Sequence, residues 1–187
     1  MSSFYSEEEL RQIGLKRFGK NVLISRKASI YSPEEIEIAN DVRIDDFCVL
    51  SGKISIGSNI HISVYTGLFG GKSGIYLSDF TTISSRCMLY ADSDDYSGEY
   101  MTNPMISDKY TNVTGGRVCM EKYSILGTGC TVLPNVTIGE GVAVGAMSLV
   151  IRDLEKWNIY VGIPCKYLKE REKGLLKLKD EFLRQKS

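Results

Sequence analysis

Residues 120–154 read MEKYSILGTGCTVLPNVTIGEGVAVGAMSLVIRDL, and an aliphatic residue or Met returns at Met120, Leu126, Val132, Ile138, Val144 and Val150. Each lies six positions after the last. An α-helix repeats every 3.6 residues and a lone strand every two, so neither asks for this beat. A short strand that ends in a tight corner does: six residues make one side, and three sides close a triangular coil of 18 residues. Stacked coils pair their backbones as parallel sheets, and the aliphatic leaders pile up inside as columns. A second inward position falls four residues after each leader, at Ser124, Cys130, Val136, Val142, Ser148 and Leu154.

The beat occurs earlier as well. Ile38, Ile44, Leu50, Ile56, Ile62 and Leu68 form an unbroken series, Leu77, Ile83 and Leu89 another, and Ile24 and Ile30 a ragged start. The second inward set there includes Val42, Cys48, Ile54, Ile60 and Thr66. A sandwich of short strands would not keep so strict a register. Two segments interrupt it. FGGKSGIY, after Leu68, adds three residues and reads as a turn bulging from one corner. YADSDDYSGEYMTNPMISDKYTNVTGGRVC, between Leu89 and Met120, is polar, aromatic and aperiodic, and a loop of that length in a compact repeat is usually functional or disordered. Its Tyr and Asp content favours function.

The ends read as helical. Ser6-Glu7-Glu8-Glu9 is a capping-box pattern with Leu10 and Ile13 on one face, and Leu168, Leu175, Leu178 and Phe182 fall at helical spacing, interrupted by Gly174. The expected organisation is one domain: a helical cap over residues 1–20, a β-helix over 21–155 with an excursion at about 91–117, and a C-terminal segment with helix over 156–187. The chain has 187 residues, 43% of them hydrophobic, with 23 basic and 23 acidic side chains. Balanced charge argues against a general nucleic-acid binder, and no apolar run approaches a membrane span. The N-terminus lacks a secretory signal pattern, and five cysteines without CxxC spacing read as reduced thiols, so a cytoplasmic location is expected.

The tandem LGTGCT-VLPNVT-IGEGVA-VGAMSL, followed by VGIPCK, resembles the hexapeptide-repeat acyltransferases, whose fold is a left-handed parallel β-helix. The hexads cover most of residues 24–154. Within that family, YADSDDYSGEYMTNP is similar to sugar acetyltransferases of surface-polysaccharide and lipopolysaccharide biosynthesis. The resemblance implies acetyl-CoA as co-substrate, no required metal, and a homotrimer with sites in the clefts between prisms. The implied acceptor is a nucleotide-linked amino-deoxysugar, acetylated on nitrogen; O-acetylation of a sugar hydroxyl is the alternative.

Acyl transfer from a thioester needs a base for the acceptor, donors for the oxyanion and a departing thiolate, which leaves easily. One histidine, His61, follows the inward Ile60 and therefore faces outward. Either it acts as base, with Asp94 or Asp95 orienting it or the substrate, or a carboxylate of the Asp92-Ser93-Asp94-Asp95 run does so. Many relatives carry their histidine near Asp94, where this chain departs from the pattern. Ser63, Tyr65, Asp92 and Tyr96 are the expected acceptor contacts. The family likeness places Gly127 and Thr128 at the thioester, Gly145 and Ala146 along the pantetheine arm, and Arg152 and Lys166 at the CoA phosphates. Glycines serving corners and solvated surface charge are the bland readings of the same residues.

Other classes fit less well. TGLFGGKS misplaces the first glycine of a phosphate loop, and DSDDYSGEY lacks the acid and glycine of a calcium loop. A zinc carbonic anhydrase on this fold needs three histidines per site, and a scaffold or ice-binding prism needs a regular array of outward residues.

Overall fold

The computed structural model describes residues 3–186. Helix α1, Glu7–Ile13, carries the capping box in full: Ser6 Oγ accepts from the Glu9 amide, and the Glu9 carboxylate accepts from the Ser6 amide. Helix α2 spans Leu175–Lys186. Between them the chain winds as a parallel β-solenoid with three faces. The first face stacks Val22–Ile24, Val42–Ile44, Ile60–Ile62, Thr82–Ile83, Ile125–Leu126, Ala143–Val144 and Asn158–Gly162 in that order. The second runs from Ser29–Tyr31 to Leu149–Val150, and the third from Arg17–Phe18 to Val136–Ile138. Two long strands, Val49–Ile56 and Gly67–Leu77, pass round the corner from second to third face and join those faces into one sheet.

The six-residue beat is the register of this stack. Ile44 pairs with Ile62, Ile62 with Ile83 and Leu126 with Val144 on the first face; Leu50 with Leu68, and Leu89 with Val132, on the second. The leaders from Ile38 to Val150 are buried, none more than 3% exposed, and so are the second inward positions, including Ser124, Cys130, Thr66 and Ser148. Corners need a left-handed residue, and the sequence supplies it with more than glycine. Phe80, Tyr123, Gly141 and Trp157 adopt φ near +60° at successive coils of the corner between third and first faces, the glycine leaving room for the Trp157 ring. The aromatic rings stack, Phe80 on Tyr123 and Tyr123 on Trp157, and Phe182 of α2 meets Phe80 edge-on, so packing offsets a conformation that bulky side chains rarely adopt.

Three expectations are corrected. Leu168 is not helical: Cys165–Glu170 is a strand, antiparallel to Asn158–Gly162, and the VGIPCK segment is the hairpin joining them. FGGKSGIY is no separate turn but part of the continuous strand Gly67–Leu77, its extra residues absorbed as register shifts at the corner. The N-terminal helix is short, and Arg17–Phe18 already pairs with Glu37 and Ile38 on the third face. The excursion leaves the corner between second and third faces as an arm whose stem is an antiparallel ribbon, Asp92–Ser93 with Thr114–Gly115, and whose far side carries a short 3-10 turn at Asp108–Tyr110. Among the described residues no helix is long and apolar enough to cross a membrane.

Candidate active site

On the first face the residue after each buried leader comes to the surface, giving the column Asp45, Ser63, Ser84, Gly127 and Gly145; the next residue along gives Asp46, Val64, Ser85, Thr128 and Ala146. Strand steps of about 4.8 Å separate the members, so the wall from the His61 strand to the Asn158–Gly162 strand extends about 19 Å. His61, Ser63, Tyr65, Gly127, Thr128, Gly145 and Ala146 all lie on this wall or the corner beside it. The stack brings them together from three coils.

Most of the wall's amides serve the ladder. Gly127 donates to Val144 O (2.8 Å) and Gly145 to Tyr160 O (2.8 Å), so neither glycine N–H is open to a ligand. That corrects the expectation for Gly127 as an oxyanion donor. The amides of Thr128 and Ala146 have no protein acceptor among the described residues, and both residues are exposed. Gly127 has a different task. A Cβ there would lie 2.6 Å from the Ala146 nitrogen, so its absence leaves that N–H uncovered.

At the lower end, His61 Nε2 lies 2.7 Å from Asp45 Oδ2, and Arg43 Nε donates to Asp45 Oδ1 at 2.7 Å. Burial works against the Asp45 carboxylate, yet the hydrogen bonds and charges of His61 and Arg43 outweigh it and hold the acid below its ordinary range. An Nε2–H donated to Asp45 leaves Nδ1 as the free ring nitrogen. Asp45 belongs to the preceding coil, so the ring leans away from Thr128, itself two steps or about 10 Å further up. Ser63 Oγ sits 3.3 Å from Ser85 Oγ, and Tyr65 stacks on Phe47 with centroids 5.0 Å apart.

The orienting partner of His61 is thus Asp45, not Asp94 or Asp95. In a triangular prism the corner that carries the arm lies opposite the first face, so within one chain the arm's carboxylates and His61 are on opposite sides. Asp92 is held by the arm's own root: its carboxylate accepts from Lys72 N–H (2.9 Å) and Ser73 Oγ (2.8 Å), the space being open because residue 71 is glycine. Asp95 accepts from the amide and hydroxyl of Ser97, which hold it below the usual carboxylate range and make it a poor base. Asp94 is exposed, its carboxylate without a protein partner among the described residues, and it lines a cavity of about 230 Å³ with Asn103, Ile106 and Thr111. Tyr96 is 93% exposed at the arm's tip.

At the upper end stand Arg152, just past the second-face strand Leu149–Val150, and Lys166 in the hairpin. Lys166 pairs with Val161 in the hairpin, and the charge of Arg152 reaches Cys165, the neighbour of Lys166. Thr128 was an expected thioester contact and Ala146 an expected pantetheine contact, whereas Asp45 and Ser84 were not legible beforehand. Asp45 and Ser84 occupy the outward column after the leader, which is a positional signal, but outward residues carry no period. Among the described residues no group of three or more His, Cys, Asp or Glu side chains gathers to hold a metal.

No protein-family model matches the chain. It is 45% identical over 183 residues to the dTDP-4-amino-4,6-dideoxy-D-glucose acyltransferase of Escherichia coli, covering 96% of this chain and 95% of the relative. Among solved structures it superimposes with a TM-score of 0.96 on AntD, an N-acyltransferase from Bacillus cereus in complex with dTDP and 3-hydroxybutyryl-CoA, at 54% identity over 99% of this chain and 98% of that one. A serine-to-alanine variant of AntD, bound to dTDP-4-amino-4,6-dideoxyglucose and coenzyme A, superimposes equally well at 53% identity, over 99% of this chain and 100% of that one. Near-complete coverage at this identity, on a shared solenoid with an amide-lined wall, makes the chain a member of the dTDP-4-amino-4,6-dideoxyglucose acyltransferase family.

Proposed function

We propose that the chain transfers an acetyl group from acetyl-CoA to the amino group of a dTDP-linked 4-amino-4,6-dideoxy sugar. The observation that carries this reading is the first-face wall: two open amides at Thr128 and Ala146, hydroxyls at Ser63 and Ser84 below them, and two cations at Arg152 and Lys166 above. Its length suits an extended thioester cofactor laid along the coils, with the phosphates at the cationic end. The ligands of AntD support the nucleotide, the amino sugar and the CoA donor. A role in surface-polysaccharide synthesis and a cytoplasmic site of action complete the reading; five free cysteines and a CoA donor suit a reducing compartment.

The chemistry is modest. The neutral amine attacks the thioester carbon, the oxyanion takes the Thr128 and Ala146 N–H groups, the carbon–sulfur bond breaks, and the amine proton passes to the departing thiolate. A carboxylate suffices to receive that proton in transit, and the partner-free Asp94 is the one we assign. His61, tied back to Asp45, holds the acceptor with Ser63, Tyr65 and Ser84 rather than serving as base. Because the arm lies opposite the first face of its own chain, Asp94 reaches a wall only on a neighbour, which supports a homotrimer with sites in the clefts.

Thiol release with acetyl-CoA tests the activity. Turnover is expected with dTDP-4-amino-4,6-dideoxyglucose and not with sugars offering only hydroxyls; the reverse outcome refutes the assignment. A 3-hydroxybutyryl-CoA arm decides the acyl group. Light scattering should give three times the chain mass of 20.9 kDa. Mixing inactive Asp94→Ala and Ser84→Ala chains during refolding should restore activity, since some clefts then draw both intact residues. No recovery would remove the shared site.

A further inference from the structure

A column of buried donors runs inside the corner between the first and second faces. Cys48 Sγ bonds to Ser63 O (3.2 Å), Thr66 Oγ1 to Ser84 O (3.2 Å), and Cys87 Sγ to Gly127 O (3.1 Å). Cys130 Sγ (3.2 Å) and Ser148 Oγ (2.7 Å) both donate to Gly145 O. All five donors are at most 2% exposed, and the four carbonyls take no ladder amide. In a trans peptide the C=O and N–H point in opposite directions. A carbonyl drawn inward therefore turns the following amide outward, and the amides that follow these four belong to Val64, Ser85, Thr128 and Ala146. None of them has a protein acceptor among the described residues.

We propose that the buried thiols of Cys87 and Cys130 are positioning residues for acyl transfer: by holding the Gly127 and Gly145 carbonyls inward, they fix the Thr128 and Ala146 N–H groups in the groove that receives the oxyanion. The inference rests on the acyl-transfer reading of that wall. It explains why cysteines, serine and threonine occupy this interior column while aliphatics fill the leader columns. The column needs a small side chain with one proton to give, and a thiol meets that need while packing as an apolar group. The neighbouring Cys130 thiol and burial push the Cys87 thiol well up, keeping the proton that its bond requires, whereas the hydrogen bond from Cys87 draws the Cys130 thiol down to about 7, and there the shorter bond from Ser148 Oγ shares the Gly145 carbonyl.

Cys87→Ala keeps the size class and deletes the donor, whereas Cys87→Ser restores one. Preorganised donors act on kcat more than on ground-state binding. We expect kcat to fall about tenfold or more in the Ala variant with the acceptor KM unchanged, and to recover most of that loss in the Ser variant. Ser124→Ala is the comparison: Ser124 is equally buried and donates to Glu121 O at 2.7 Å, but at another corner, so it should lower Tm and leave kcat alone. Amide hydrogen exchange at Thr128 gives a readout independent of turnover, expected to change in Cys87→Ala and return in Cys87→Ser. Wild-type kcat in Cys87→Ala, equal kcat losses in Cys87→Ala and Ser124→Ala, or an unaltered Thr128 exchange rate would each overturn the proposal. Absence of turnover by the wild-type enzyme would refute the acyl-transfer reading, and the exchange measurement would still decide the role of the thiol.

Discussion

Replacing Gly127 by alanine separates the packing of the wall from its chemistry. The new Cβ would meet the Ala146 nitrogen at 2.6 Å, the Gly145 carbonyl carbon at 2.9 Å and the Val144 oxygen at 2.9 Å. Ordinary carbon contacts begin near 3.5 Å, so adjacent coils must part locally by roughly half an ångström or more. Overpacking of this kind costs about 1–3 kcal/mol. The backbone at Gly127 is not left-handed, so alanine adds no conformational strain there. It recovers about 0.4–1 kcal/mol by stiffening the unfolded chain. The net loss should be about 1–2 kcal/mol, a fall in Tm of about 2–8 °C for a chain of this size.

Gly139→Ala is the matched control. Its Cβ would crowd Leu154 O at 2.7 Å and Lys156 N at 2.8 Å, a similar clash on the third face, far from the proposed groove. Both variants should therefore lose comparable Tm by scanning calorimetry. Only Gly127→Ala places a methyl over the Ala146 amide. Loss of one oxyanion donor, about 0.5–1.5 kcal/mol, should lower kcat up to about tenfold beyond any change in Gly139→Ala. If Gly127→Ala shows the Tm loss of Gly139→Ala and a wild-type kcat, the thioester does not react against the first face.

Thr81 Oγ1 is the one buried polar side-chain atom without a partner among the described residues, so Thr81→Val should stabilise the protein by about 1 kcal/mol, measured as a higher urea midpoint. Asp45 has a folded pKa below its unfolded one, so its contribution is present above the unfolded value and is lost as pH falls through the folded value. Asp45→Asn should thus be less stable by about 0.5–1 kcal/mol at pH 7, the gap from wild type closing in acid; a gap that stays constant down to the acid limb contradicts the dyad. Arg171 Nη1 donates to Tyr123 O (2.9 Å) and Gly141 O (3.0 Å), which anchors the chain before α2. Arg171→Met should cost about 1–3 kcal/mol and expose the C-terminal segment to limited proteolysis.

The interior was legible because packing enforces its period. A residue such as Leu126 must sit over Ile83 and under Val144, so its type repeats at each coil, whereas Ser84 on the outside is under no such packing constraint from the coils above and below. His61 was found as an outward residue because its neighbour Ile60 is inward, but its partner came from the preceding coil, at an offset of 16 residues that no local motif marks. The arm was recognised as an interruption, yet which of its carboxylates is free depended on contacts with Lys72, Ser73 and Ser97 that composition does not reveal. Leu168 misled because an apolar residue seven positions before Leu175 fits a helix as well as it fits the edge of a hairpin.

The same geometry that makes the prism fold also creates its reactive surface. A corner after every sixth residue breaks the ladder, because the chain turns before each carbonyl and amide can find a strand partner. On the first face that leaves one C=O and one N–H per coil outside the ladder. A buried C=O without a donor costs about 1–3 kcal/mol, so each coil must supply one from within, and the interior position four after the leader, occupied by Cys48, Thr66, Cys87 and Cys130, is where it comes from. Satisfying the carbonyl commits the amide to solvent, where water or a ligand can take it. A stack of such coils therefore presents a row of outward N–H groups at the strand spacing before any side chain is specialised for catalysis. What the proposed activity then requires is small: a missing Cβ at Gly127 to uncover the row, the cations Arg152 and Lys166, and, in the proposed trimer, an arm that meets a neighbour.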